Sequence, residues 1–156
     1  MVSEARHNNM AAIRGRDTKP EMLVRRFLWR RGFRFLVNVR WLPGKPDVVL
    51  RGRYRVCVFV NGCFWHGHEG CRFYRVPKTN VEFWTEKVKR NKERDERVRE
   101  ELHNMGWNYV SVWECELKPN VREETLERLE RTIRMIGKAE YAVGEEEVNG
   151  MAAEEL

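Results

Sequence analysis

The chain has 156 residues, 42% hydrophobic and 35% charged, enough to bury one ordinary core and too few for two. No apolar run approaches the roughly 20 residues of a membrane span, and Met1 to Asn9 lack the apolar stretch of a leader, so a single cytoplasmic domain with no membrane partner is expected. The formal charge is +6, but residues 140–156 hold six Glu and no Lys or Arg, leaving 30 basic against 18 acidic residues, +12, on the rest. A charge of that size favours a polyanionic partner through counterion release, and a merely soluble basic surface accounts for it equally well.

Asp17-Thr18-Lys19-Pro20-Glu21 predicts a helix start, with Thr18 and Glu21 at capping-box spacing and proline where a missing N–H costs least. That helix should stop at Gly32. Phe33, Phe35 and Val37 then alternate as in a strand, and Leu42-Pro43-Gly44-Lys45-Pro46 reads as a turn. Asp47-Val48-Val49-Leu50 and Tyr54 to Val60 form two more strands, the second apolar enough to be central. Residues 61 to 80 carry three Gly, two Cys, two His and Pro77 without periodicity, a long loop of the functional kind. A helix follows from about Val81 to Met105, ended by Gly106, then a strand from Trp107 to Trp113. A last amphipathic helix through Leu126, Leu129, Ile133 and Ile136 should end before Gly137. Residues 1–139 are therefore expected to form one domain with an N-terminal arm of about 1–16, and 140–156 a solvated acidic tail. Helices flanking a sheet suggest an α/β fold with α/β/α layering.

The long helix is anomalous. Its apolar stripe runs Trp84, Val88, then Val98, Leu102, Met105, and the two positions between are Asn91 and Asp95. Its charge run is the ordinary solvated face, but a carboxylate on the inward stripe requires a cation, a donor or a metal.

Three constellations carry chemistry. Cys63, His68, Cys71 and Cys115 would make the closed tetrahedral site that structural zinc prefers, with disulfides the competing reading in a less reducing compartment. Cys57, within an apolar strand, is a small core residue. His66 and His68 lie two apart, so one is left over for chemistry. Asp47, entering a strand, either caps a turn or holds Mg²⁺ for phosphodiester cleavage, and Glu21, Asp47, His66 and Asp95 together supply candidate acid, base and metal ligands. Met10, Phe64 and Trp65 are bulky apolar residues in polar surroundings, suited either to wedging between base steps or to anchoring in the core.

These residues resemble a known family. Asn9-Met10, Arg16-Asp17-Thr18, Glu21, Leu42 to Asp47, Val60 to His68, Val76-Pro77, Glu82-Phe83-Trp84, Asn91, Glu93-Arg94-Asp95, Gly106-Trp107 and Val112 to Cys115 look like the successive motifs of the very-short-patch-repair (Vsr) mismatch endonucleases. The resemblance covers roughly Asn9 to Leu117. It implies a restriction-endonuclease-like three-layer α/β/α fold with a central mixed sheet, and nicking of double-stranded DNA 5′ to the thymine of a T·G mismatch, the lesion left by deaminated 5-methylcytosine. Carried over position by position, it implies Mg²⁺ on Asp47 and the backbone carbonyl of Val60, His66 as general base oriented by Asp95, and Glu21 bonded to water of the metal's shell. It further implies intercalation by Met10, Phe64 and Trp65, and Zn²⁺ on Cys63, His68, Cys71 and Cys115. Other mismatch-repair proteins are expected partners, and a monomer is the expected state.

Two departures stand out. Val60-Asn61 replaces the Thr-His of the family pattern, so Asn61 occupies the place of an imidazole near the phosphate, and Glu69-Gly70 adds a residue between His68 and Cys71. Two rivals remain at this point: a nuclease of the same fold with another DNA target, such as a restriction or nicking enzyme, and a zinc-stabilised DNA-binding module without catalysis. The second has no need for an inward Asp95 and a spare His66.

Overall fold

The structure, a computed structural model, describes residues 17–72 and 74–154, with side chains up to Ala139. Met10 and the N-terminal arm lie outside the described residues. The elements are α1 (Lys19–Arg30), β1 (Leu36–Val37), β2 (Val48–Leu50), β3 (Val56–Asn61), α2 (Val81–Asn104), β4 (Asn108–Trp113), a 3₁₀ turn (Glu114–Leu117) and α3 (Arg122–Glu154). Among the described residues no helix is long and apolar enough to cross a membrane.

Helix α1 starts where its capping residues require: Thr18 Oγ1 accepts from the Glu21 N–H at 3.5 Å. The Glu21 carboxylate reaches one residue further back than a capping box would, accepting from the Asp17 N–H at 2.7 Å. The helix ends at Gly32, whose φ of +89° is easily adopted only without a Cβ. The alternation Phe33, Phe35, Val37 yields a strand of only two residues. Phe33 closes the helix end by donating to the Leu28 carbonyl at 3.1 Å, and Asn38, at φ +49°, breaks the extended chain just beyond.

The four strands form one mixed sheet in the order β1-β2-β3-β4, antiparallel except for the parallel β3/β4 pair. Alternation along the strands divides their side chains between two cores. Val48, Leu50, Val56, Val58 and Val112 pack with Val24 and Leu28 of α1 and with Leu126, Leu129 and Ile133 of α3. Val49, Cys57 and Phe59 pack with Val98 and Leu102 of α2. Cys57 is thus a core residue, and burial pushes its thiol up to about 12. Each fully buried valine of β2 and β3 contributes roughly 1.5–3 kcal/mol.

Two sequence expectations change. Trp84 and Met105, assigned to the inward stripe of α2, are in neither core; Trp84 instead packs against Phe64 and Trp65, and Met105, past the last turn, is 49% exposed. Strand β4 ends at Trp113 as expected, and the 3₁₀ turn that follows carries Cys115 just past the strand end. Helix α3 runs through Gly137. A Cβ there would lie 2.6 Å from the Tyr54 ring, so the glycine serves close approach to that ring and not helix termination.

Candidate active site and metal centre

Asp47 is positioned by backbone bonds at the junction of three strands. Its carbonyl accepts from the Asn38 N–H at 3.2 Å and its N–H donates to the Val58 carbonyl at 3.1 Å. Its Oδ2 accepts from the Val60 N–H at 2.7 Å. Burial raises its pKa from 3.8 to about 6; the Val60 bond opposes the rise, the Glu21 charge adds to it, and Arg25 and His66 oppose it. Beside it, buried Glu21 pairs with Arg25 at 3.2 Å, and Arg25 reaches Asp17 at 2.7 Å and Asn38 Oδ1 at 3.2 Å. Arg25 Nε is buried without a partner among the described residues. A half-buried carboxylate that is costly to ionise, with a second carboxylate nearby, fits a hard divalent cation that takes oxygen ligands.

The loop after β3 is wound onto α2. His66 donates its N–H to the Gly62 carbonyl at 3.2 Å and His68 to that of Cys63 at 2.9 Å. Gly67, at φ +61°, allows the loop to lie against Val88, which a Cβ would approach to 2.7 Å. The two polar interruptions of the α2 stripe hold this loop. Asp95 Oδ2 lies 2.7 Å from His66 Nδ1, and Asn91 Nδ2 donates to the Trp65 carbonyl at 2.8 Å. With Nδ1–H given to Asp95, His66 keeps its lone pair on Nε2, the arrangement of a general base. The pair lines a cavity of about 490 Å³ that also includes Asn61, Arg99, Tyr109 and Trp113. Asn61 is buried at the end of β3.

Cys63, His68, Cys71 and Cys115 each offer one ligand atom, all within 4.8 Å of one another. None of the cysteines is in a disulfide. In a tetrahedron with metal–sulfur bonds of about 2.3 Å the ligands sit about 3.8 Å apart, so the set fits one metal ion after small adjustments. His68 Nδ1 approaches Cys115 Sγ at 3.4 Å, and its ring stacks on Trp113 at 4.1 Å and 5°. Burial, then the neighbouring thiols, pushes Cys115 up to about 12: three crowded thiols cannot all become thiolates without a cation among them.

Phe64 and Trp65 belong to neither core. They meet each other at 5.1 Å, and Trp84 at 5.6 and 5.8 Å, and Phe83 joins Trp84 at 5.1 Å. Trp65 and Phe83 are 41% and 57% exposed, and the Lys87 ammonium lies 5.2 Å from the Trp65 ring centroid. The chain thus displays an aromatic cluster with a cation at its edge.

The sequence reading singled out neither Arg25 nor Lys87. Arg25 stands four residues after Glu21 on the face of α1 that carries Val24 and Leu28, a charged pair on an inward stripe, and that signal was available. Lys87 carries no such mark, being one of many basic residues on α2.

The family described as DNA mismatch endonuclease Vsr matches residues 1–72. A type II nicking enzyme, V.NmeAIP of Neisseria meningitidis, is 46% identical over 126 residues, 80% of this chain and 89% of the relative. The DNA mismatch endonuclease Vsr of Escherichia coli is 43% identical over 131 residues, 82% and 83% of the two chains. Type II nicking enzyme V.XorIIP of Xanthomonas oryzae is 43% identical over 114 residues, 73% and 82%.

Proposed function

This chain belongs to the Vsr family and is a DNA endonuclease, and on that premise we propose that it nicks one strand of duplex DNA 5′ to the thymine of a T·G mismatch in a magnesium-dependent reaction. The observation that carries the reading is the 2.7 Å contact of His66 Nδ1 with Asp95, together with a half-buried Asp47 whose pKa burial raises to about 6. A non-catalytic DNA-binding module has no use for that pairing.

Asp47 and the Val60 carbonyl would hold Mg²⁺, which when bound polarises the phosphate and makes water a better nucleophile at neutral pH. His66 Nε2 accepts the proton of the attacking water, while Asp95 holds the ring through Nδ1–H and stabilises the imidazolium that results. Glu21, paired with Arg25 at 3.2 Å, accepts hydrogen bonds from water beside Asp47. Asn61 lacks the proton-carrying imidazole that the family pattern has at its place, and acts here as a neutral amide. Cys63, His68, Cys71 and Cys115 would hold Zn²⁺, which when bound would tie the loop to the end of β4 and take no part in the chemistry. Met10, Phe64 and Trp65 insert beside the mismatch, a role supported for the two aromatics by their exposed cluster. Two cores, one with α1 and α3 and one with α2, support the restriction-endonuclease-like three-layer classification. Residues 1–139 form the nuclease domain, working as a cytoplasmic monomer alongside other mismatch-repair proteins.

A second reading rests on the relatives named type II nicking enzymes: the same chemistry at a different DNA target. End-labelled duplexes with a single T·G, C·G or T·A pair, incubated with and without Mg²⁺, separate the two. The expected result is one nick, in the thymine strand of the T·G duplex, only with Mg²⁺. Equal nicking of all three duplexes selects the second reading, and cleavage that persists without a divalent metal removes the role of Asp47.

A further inference from the structure

The cavity that holds the His66–Asp95 pair has two fixed cations on its wall, Lys92 and Arg99. Lys92 is committed, its ammonium 2.9 Å from the Glu69 carboxylate. Arg99 makes no ion pair among the described residues. Its guanidinium instead lies over the Tyr109 ring, 4.7 Å from the centroid. That ring is itself fixed, stacked on Phe59 at 4.8 Å and 23°, and both Arg99 and the buried Asn61 amide approach the Tyr109 hydroxyl. Glu93 and Glu96 share the cavity wall, so any attraction for an anion there comes from one oriented guanidinium and not from a diffuse basic field.

Arg99 also lines a second cavity, of about 620 Å³, which shares Tyr109 and Ser111 with the first and continues past Arg97 and His103. β4 is the last strand of the sheet, and this groove runs between it and α2. Arg99 therefore stands where the cavity of the general base opens into a channel along the sheet edge. A guanidinium held by an aromatic face keeps its planar fork of donors for a bidentate anion, and phosphate matches that fork.

We infer that Arg99, positioned by Tyr109 and Asn61, binds a backbone phosphate of the strand being nicked, next to the cleaved bond, and that this strand continues along the groove between α2 and β4. The inference rests on the nicking reading above and adds to it a substrate-binding residue and a path for the strand.

The test is equilibrium binding to a T·G duplex in magnesium-free buffer across a salt series, for the wild type, Arg99→Met, Arg99→Gln and Arg99→Lys, with circular dichroism as the folding control. Loss of one phosphate contact should lower the slope of log K against log salt by about 0.9 and weaken binding about tenfold near 0.1 M salt. Arg99→Lys should keep the slope and recover only part of the affinity, since a point charge replaces the fork. A folded Arg99→Met or Arg99→Gln protein with an unchanged slope overturns the inference. A wild type that neither binds nor nicks DNA overturns the functional reading instead, whatever the variants do.

Discussion

A 2.7 Å contact between His66 Nδ1 and Asp95 Oδ2 determines which imidazole nitrogen can accept a proton, so its removal is expected to act on chemistry and not on packing. Asp95→Asn keeps the size and an acceptor oxygen but loses the charge that favours the imidazolium. Single-turnover nicking should slow by roughly 10²-fold or more with DNA affinity little changed; a fall in affinity matching the fall in rate would reassign Asp95 to substrate binding. The position of Asp95 was legible in the sequence because a carboxylate interrupted an apolar stripe, and Asn91 gave the same signal. Arg99 and Tyr109 were not legible, since an arginine on a charged helix face and a tyrosine in a strand look ordinary until the fold brings them together. Asp47 gives a prediction of opposite character. Its pKa rises from 3.8 to about 6 on folding, so the folded state binds the proton more tightly than the unfolded state does. The charged carboxylate then disfavours folding increasingly between those two values and by a constant amount above them, at most about 3 kcal/mol. Asp47→Asn, whose side-chain oxygen still accepts from Val60, should abolish nicking yet raise Tm at pH 7.5 in magnesium-free buffer, with the gain vanishing near pH 4. Added Mg²⁺ should raise Tm of the wild type alone. A lower Tm for the variant at pH 7.5 would mean that Asp47 is held by partners that offset its burial.

Among the elements, the segment from Gly62 to Asn80 depends most on something other than packing. Its described residues form no helix or strand, and its links to the rest of the molecule include the His66 and Trp65 bonds to α2 and the four-ligand cluster that joins it to Cys115. A closed metal site contributes folding free energy directly, so Cys115→Ser or zinc chelation should lower Tm and release the loop to protease cleavage near His68, before the sheet itself unfolds. Metal analysis that finds no zinc in a protein of unaltered stability would rule out the four-ligand centre. The loop was legible as a ligand-bearing segment from composition alone, because His and Cys at short spacing have few structural uses. Boundaries that depend on tertiary contacts were less so. Nothing in the periodicity separates a glycine that stops a helix, as Gly32 and Gly106 do at φ of +89° and +83°, from Gly137, which continues one because the Tyr54 ring requires the space of a Cβ. Phe33 and Phe35 misled for a related reason: alternation indicates two faces, and both residues use one face to pack under α1 without joining a ladder.

For the whole molecule, the sheet order and the division of its side chains between two cores place Asp47, Asn61 and His66 at one end of β2 and β3, where the strands give way to loops and the backbone can approach a ligand. DNA held there meets two kinds of surface. One is charge, a net +6 overall, of which Arg99 is an oriented part. The other is the cluster of Phe64, Trp65, Phe83 and Trp84, whose rings, with Trp65 and Phe83 exposed, contribute no charge. The two differ in what they make measurable: phosphate contacts release counterions and set the salt slope, whereas stacking on a base contributes about 1–3 kcal/mol and leaves that slope alone. A mismatch is where stacking has most to gain, because bases that pair poorly are more easily unstacked. Trp65→Ala should therefore weaken binding to the T·G duplex by about tenfold or more, weaken binding to a C·G duplex less, and leave the salt slopes of both unchanged. Equal loss on both duplexes would make the cluster a general clamp with no part in choosing the lesion, and a changed slope would show that Lys87, 5.2 Å from the Trp65 ring, reaches a phosphate only while that ring holds it.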